Sequence, residues 1–255
     1  MKGLVALGAL CELQSAGVLE GCTDVSGTSI GSLLAAAVAL ELDMEAVKEA
    51  ALEHRFQPTY DFARFGSTFG IETGESVREF IHKVVPPALT FRDAPKKLKI
   101  VTTNLTRRTM TVFSRETHPD MSIARAIQLS CCVPFYFVAQ EHEGDVYVDG
   151  ALVDNFPLAA CDTRPDETLG LLLLSSVSPR PPATPKTLHQ YVAAIVDTVI
   201  QRQLPPDSKR YRILELHCEG VNAFEFTTNI NRRKKLIKQG KQQAAEFVLR
   251  LRKNE

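Results

Sequence analysis

No apolar run in this 255-residue sequence approaches the roughly 18 residues of a membrane-spanning helix. Met1-Lys2 opens onto a short apolar stretch that two glycines and then Glu12 interrupt, so no secretory signal peptide is expected. Net charge is also missing: 30 basic and 30 acidic residues give a formal charge of +0. That removes any global pull toward nucleic acid or anionic membrane. No nucleic-acid-binding signature stands out, so no nucleic-acid partner is expected. None of the six cysteines forms a C-x-x-C pair, which argues against a zinc site. No metal and no cofactor are expected. Adjacent Cys131-Cys132 lies in an apolar stretch and reads as core packing. A reducing, cytoplasmic compartment is the simplest expectation. There is no internal repeat and no clear domain boundary, so residues 1–255 are read as a single domain.

What remains is an ordinary globular composition, 44% hydrophobic and 24% charged. A chain this long buries a sizeable core without staples. The pattern predicts a helix over Leu4–Ser15, a short strand at Val25-Ser26 and a buried helix from Ile30 to Leu40. A second helix follows from Asp43, which serves as its N-cap. Residues 55–75 are rich in Phe, Gly and Thr without clear periodicity and read as a loop or cap. A helix is expected over Glu75–Val84, strands at 98–103 and 109–113, a helix at 122–129 and a short strand at 146–148. Leu169–Leu174 is a continuous apolar run, as in a strand buried on both faces. A Pro-rich linker covers 179–185, and helix, strand and helix are expected at 187–203, 211–217 and 231–252. Strands alternating with helices imply α/β layering around a largely parallel or mixed sheet.

The motif that carries chemistry is Gly27-Thr28-Ser29-Ile30-Gly31, a G-x-S-x-G pattern between the short strand and the apolar helix. In such an elbow the serine sits on a sharp strand-to-helix turn. The glycines let the backbone bend and leave the hydroxyl uncrowded. The start of the following helix offers free N–H groups to developing negative charge.

A serine hydroxyl needs a base. One candidate is Asp149, in Val148-Asp149-Gly150-Ala151, delivered by the short strand. Burial beside the serine would raise its pKa from the ordinary value of about 3.9. The same Asp-Gly also reads as a plain β-turn. The other candidate is His217, which would complete a Ser, Asp, His order. Against it, only 28 residues precede Ser29, leaving room for about one strand, whereas an α/β-hydrolase sheet needs several before its elbow. The remaining histidines read as surface residues.

Four blocks in order give the chain a resemblance to the patatin-like phospholipases, running from Lys2 to about Phe247. They are Lys2-Gly3 with Gly8-Ala9-Leu10, the Ser29 motif, Ala126-Ile127-Gln128-Leu129-Ser130 with Pro134 and Phe137, and Asp149-Gly150-Ala151 with Asn155 and Pro157. The resemblance implies a three-layer α/β/α fold with a central, mostly parallel sheet. It implies a Ser29–Asp149 dyad without histidine, an acyl-enzyme route, and phospholipid or another acyl lipid as substrate. Peripheral contact with a membrane surface follows as an expectation.

The sequence departs from the family pattern at the G-x-G-x-x-G motif, whose backbone N–H groups form the oxyanion hole. Only its last glycine, Gly3, is present, beside Lys2. The earlier glycines and the first strand would fall upstream of Met1, so the first strand is expected to be missing and the oxyanion hole incomplete. That leaves an alternative class: a catalytically impaired patatin-like protein that binds lipid or a partner. The basic run Arg232-Arg233-Lys234-Lys235 with Lys238 and Lys241 suits either anionic headgroups or a solvated helix face, with Leu236, Ala244, Phe247 and Val248 turned inward.

Overall fold

In the computed structural model the described residues are 1–63, 65–175, 184–186, 190, 191, 194, 195, 198, 199, 208–219 and 228–253. The chain opens with α1 (Gly3–Ser15), followed by β1 (Asp24–Thr28) and α2 (Ile30–Ala39). Next comes α3 (Met44–Glu53), where Asp43 accepts from the Glu45 N–H at 3.0 Å as the expected N-cap. The cap region over 55–75 is not all loop. It contains a single turn, α4 (Phe65–Thr68), and β2 (Gly70–Glu72) before α5 (Glu75–Val84). Then follow β3 (Lys97–Asn104), β4 (Thr109–Ser114), α6 (Ile123–Ser130), β5 (Phe135–Phe137), β6 (Gln140–His142) and β7 (Asp145–Asp149). The described chain ends with β8 (Leu169–Ser175), β9 (Arg212–Cys218) and α7 (Ile230–Lys253). The helix expected over 187–203 and the Pro-rich linker fall largely outside the described residues.

Strand β3 is the hub of a five-stranded mixed sheet. It pairs in parallel with β1 and antiparallel with β4 and β7, and β6 extends the sheet beyond β7. Seven of its eight residues are buried. Helices α2 and α6 pack on it, and α1, α3, α5 and α7 join them in one apolar core with Leu33, Ile100, Ile127 and Leu214. The other face of β1 is covered by the segment that follows β7, which runs through short 3-10 turns. Ser26 Oγ donates to the Pro157 carbonyl and Thr28 Oγ1 to the Asp154 carbonyl, each at 2.8 Å. Helices, sheet and this segment therefore form three successive layers.

Strands β8 and β9 pair in parallel as a separate two-stranded sheet. Among the described strands, β1 pairs only with β3 and β8 only with β9. The two unpaired edges line the same cavity. This corrects the expectation that Leu169–Leu174 is buried on both faces: Leu171–Leu174 are only half-buried, because β8 borders that cavity.

The basic run on α7 is not uniformly a solvated face. Arg233 is buried, donates to the carbonyls of Ala51 and His54, and lies over the Phe56 ring. Leu236, Ala244 and Val248 are buried, as expected for the inward face. Four of the histidines read as surface residues are instead half-buried. His54 bonds Ser76 and His82 bonds Gln128, while His118 and His142 pack on Phe113.

Candidate active site

The elbow forms where β1 must turn at once into α2. A side chain at Gly27 would place its Cβ 2.4 Å from the Gly31 carbonyl oxygen, so strand and helix approach this closely only with glycine there. At Gly31 a Cβ would meet nothing within 4 Å, so no close approach requires that second glycine. Ser29 itself takes φ 53° and ψ −134°, a conformation rare for a residue with a side chain. Three hydrogen bonds hold it. Its N–H donates to Ser130 Oγ at 2.8 Å. Its carbonyl accepts from the Ser32 N–H at 2.8 Å and from Ser32 Oγ at 2.6 Å. Ser130, fully buried at the end of α6, passes its own proton to the Val101 carbonyl at 2.7 Å.

Asp149 reaches the same point from the other side of β3. Thr28 of β1 is in register with Val101, and Asp149 of β7 with Thr102. Adjacent positions on one strand thus bring together two residues 120 apart in sequence. The Asp149 N–H donates to the Cys132 carbonyl at 2.7 Å, and its carbonyl accepts from Thr103 Oγ1 at 2.9 Å. One carboxylate oxygen, Oδ1, caps the following 3-10 turn by accepting from the Ala151 N–H at 2.9 Å. The other, Oδ2, accepts from Ser29 Oγ at 2.5 Å. Gly150 lets this turn close, since a Cβ there would lie 2.2 Å from the Val101 carbonyl oxygen.

Asp149 is 2% exposed. Burial pushes its pKa up to about 6, against the opposing pull of the Ser29 hydroxyl and the Ala151 N–H. A carboxylate so placed is a stronger base than an ordinary aspartate and remains largely ionised at neutral pH.

Ser29 and Asp149 line a cavity of about 840 Å³ whose walls include Leu33, Phe80, Val133 and Phe137. Met1, Lys2 and Gly3 also line it. Gly3 sits against the Ile30 side chain, where an added Cβ would lie 2.5 Å from Ile30 Cγ1. The first turn of α1 therefore abuts the start of α2, with the Leu4 and Val5 N–H groups donating to the Met1 and Lys2 carbonyls, each at 3.0 Å. His217 lies elsewhere. It is exposed on β9, with its backbone bonded to Gln239 and Gln243 of α7, and does not line the cavity. All six cysteines are free. Among the described residues, no cluster of His, Cys, Asp or Glu is arranged to hold a metal ion, and no helix is long and apolar enough to cross a membrane.

Sequence reasoning gave no role to Ser130 or Thr103. Ser130 ends an apolar helical pattern and looks like any C-terminal helix residue. Only the register of β3 shows that it supports Ser29.

A protein of Acanthamoeba polyphaga mimivirus, named only as uncharacterized, is 27% identical over 157 residues, 58% of this chain and 53% of its own. A protein of Invertebrate iridescent virus 6 named a probable lipid hydrolase is 30% identical over 80 residues, 30% of this chain and 28% of its own. The chain thus spans about half or less of the curated relatives it matches. The crystal structure of VipD from Legionella pneumophila superposes with a TM-score of 0.62 at 17% identity, covering 97% of this chain and 64% of that one. At that identity the likeness concerns the fold. Residues 1–162 match the family model described as patatin-like phospholipase. The chain belongs to the patatin-like phospholipase family.

Proposed function

We propose that the protein is a lipid acyl hydrolase that cleaves carboxylic esters of phospholipids or related lipids through a Ser29–Asp149 dyad. The observation that carries this reading is the 2.5 Å hydrogen bond from Ser29 Oγ to Asp149 Oδ2 at the wall of a largely apolar cavity. Asp149 takes the hydroxyl proton as Ser29 Oγ attacks the ester carbonyl. The carbonyl oxygen becomes an oxyanion facing the N-terminal end of α2, with Lys2 and Gly3 lining the same cavity. The alcohol leaves with the proton from Asp149. Water then gives a proton to Asp149 and attacks the acyl-enzyme, and Asp149 returns that proton to Ser29 Oγ as the fatty acid leaves. In this scheme Gly27, Thr28, Ile30 and Gly31 shape the elbow, while Gly150 and Ala151 hold the carboxylate.

The test is covalent labelling. A fluorophosphonate probe should label the wild type, and neither Ser29→Ala nor Asp149→Ala should be labelled at a comparable rate. Hydrolysis of phospholipid and of a soluble short-chain ester should disappear with the label. Equal labelling of wild type and Ser29→Ala would remove the serine from the mechanism and favour the lipid- or partner-binding alternative.

A further inference from the structure

Phe80, Phe91, Phe113, Tyr136, Phe137 and Tyr147 are buried, whereas Tyr60, Phe62, Phe69 and Phe135 are 49%, 69%, 62% and 50% exposed, and Tyr191, elsewhere in the chain, is 58% exposed. The first four come from two stretches of sequence, 60–69 and 135, and one small sheet collects them. Strand β2 pairs in parallel with β5, with Gly70 opposite Phe135 and Glu72 opposite Phe137. Phe69 directly precedes Gly70. Tyr60 bridges Glu72 from the other edge of β2, and the Asp61 N–H donates to the Ile71 carbonyl at 2.8 Å. The Phe62 ring stacks on Tyr60 with centroids 5.9 Å apart, and the Tyr60 hydroxyl lies 3.4 Å from that of Tyr136.

Two of these exposed rings sit on unfavourable backbone. Phe69 has φ 57° and Phe135 φ 64°, the left-handed region that bulky side chains rarely occupy. Water gives no return for holding a phenyl ring outward in this way, but an apolar partner does. Beneath the surface Tyr136 and Phe137 pack with Cys132 and Ile71 in a small apolar cluster. Glu72 is buried and accepts from the N–H groups of Thr59 and Gly74 at 3.1 and 2.8 Å. The same sheet leads to the reaction site: Phe137 lines the Ser29 cavity, and the Cys132 carbonyl just before β5 holds the Asp149 N–H.

We infer that Tyr60, Phe62, Phe69 and Phe135 form an interfacial docking surface that seats in the headgroup region of a phospholipid bilayer beside the cavity mouth. The inference rests on the acyl-lipid hydrolase reading for its choice of occupant. The substrate of such an enzyme lies in a bilayer, and the strand that carries Phe135 also carries Phe137, which lines the cavity that would receive it. Tyr60, an aromatic ring with a polar tip, suits the membrane interface, and the three phenyl rings add apolar surface beside it. The patch is built of rings, so apolar insertion drives binding and salt affects it little.

The chain contains no tryptophan, so a single Phe62→Trp reports only on its own surroundings. In the non-hydrolysing Ser29→Ala background, its emission should shift to the blue on adding phosphatidylcholine vesicles. Phe62→Ala combined with Phe69→Gly should weaken vesicle co-sedimentation by at least about tenfold at low and at high salt. The glycine also relieves the backbone at position 69, so thermal stability should not fall. With Ser29 present, the double variant should hydrolyse a soluble short-chain ester at the wild-type rate and vesicle phospholipid at least about tenfold more slowly. Unchanged vesicle binding by the double variant, or an unshifted indole on bound vesicles, would overturn the inference. Loss of self-association with vesicle binding intact would assign the patch to a second copy of the chain instead. A wild type that binds vesicles through the patch but hydrolyses no ester would refute the hydrolase reading and leave the docking surface standing.

Discussion

Asp149→Asn should make the protein more stable and inactive at once, and the gain should depend on pH. Folding removes the Asp149 carboxyl from water and raises its pKa from the ordinary value of about 3.9 to about 6. Between those two values the native chain holds its proton more tightly than the unfolded chain does. Stability therefore falls as pH rises through that window, by about 3 kcal/mol in total. The penalty is absent below about pH 4 and fully present above about pH 7. Asparagine carries no such penalty. Its carbonyl keeps the Ala151 N–H, and its amide donates to Ser29 Oγ, so no buried polar group is orphaned. In a chain of this size each kcal/mol moves Tm by roughly 2–4 °C. The variant should melt about 6–12 °C above wild type at pH 8 and within a degree or two of it at pH 4. Ester hydrolysis should drop by about 100- to 10,000-fold, the range for losing a positioned base. Wild-type hydrolysis should itself decline as pH falls through about 6. Calorimetry across pH 4–8 with parallel ester assays checks both arms. A variant no more stable than wild type at pH 8, or equally stabilised at both ends, would refute the argument that burial strains this carboxylate.

Ser130→Ala strips the Ser29 N–H of its acceptor and the Val101 carbonyl of its donor, both within the core. Because Ser130 touches no substrate, kcat should fall by about 10- to 100-fold with KM unchanged, corresponding to about 1–3 kcal/mol of lost support. Stopped-flow labelling with a fluorophosphonate would show the same loss, and a wild-type labelling rate would exclude a positioning role. Arg233→Ala should cost about 2–3 kcal/mol of stability by removing two charged hydrogen bonds at the end of α3, read by denaturant unfolding. Its activity per folded molecule and its vesicle binding should stay at wild-type levels; a selective loss of anionic-lipid binding would restore the headgroup reading of that basic run. His217→Ala should keep ester hydrolysis within about twofold, since the residue is exposed on β9 and away from the cavity; a loss comparable to that of Asp149→Asn would return the histidine to the mechanism.

The elements that sequence reveals well here are those whose stability is local. The Asp43 cap, the unbroken apolar stretch of α2 and the strand-helix junction at Ser29 all depend on neighbours a few residues away. The Ser29–Asp149 hydrogen bond agrees with what the family resemblance implies, whereas the residues by themselves leave Asp149 open as a plain turn and His217 as a rival base. What stayed hidden depends on register. Nothing near Ser130 announces that its hydroxyl lies beside Val101 and Ser29. Residues 135–137 and 140–142 are too short and too irregular for a period of two to show, so β5 and β6 passed unseen. The Phe-rich 55–75 segment likewise lacks a pattern, since β2 is completed by a strand more than sixty residues away. Arg233 was misplaced for the opposite reason. Its basic neighbours suggested solvent, and only the helix packing turns it inward.

Among the described strands, the one that carries the elbow is paired along one side only. Amides of β1 directed at β3 lie in a continuous ladder, while those directed at the cavity have no strand to bond. Along these five residues, hydrogen exchange should therefore alternate between slow and fast positions, so the strand reads as half core and half surface. Ser29 is the free end of this one-sided support. Its position depends on the α6 hydroxyl beyond it as much as on the sheet behind it, so any agent that closes the open edge of β1 would stiffen the root of Ser29 without touching its hydroxyl.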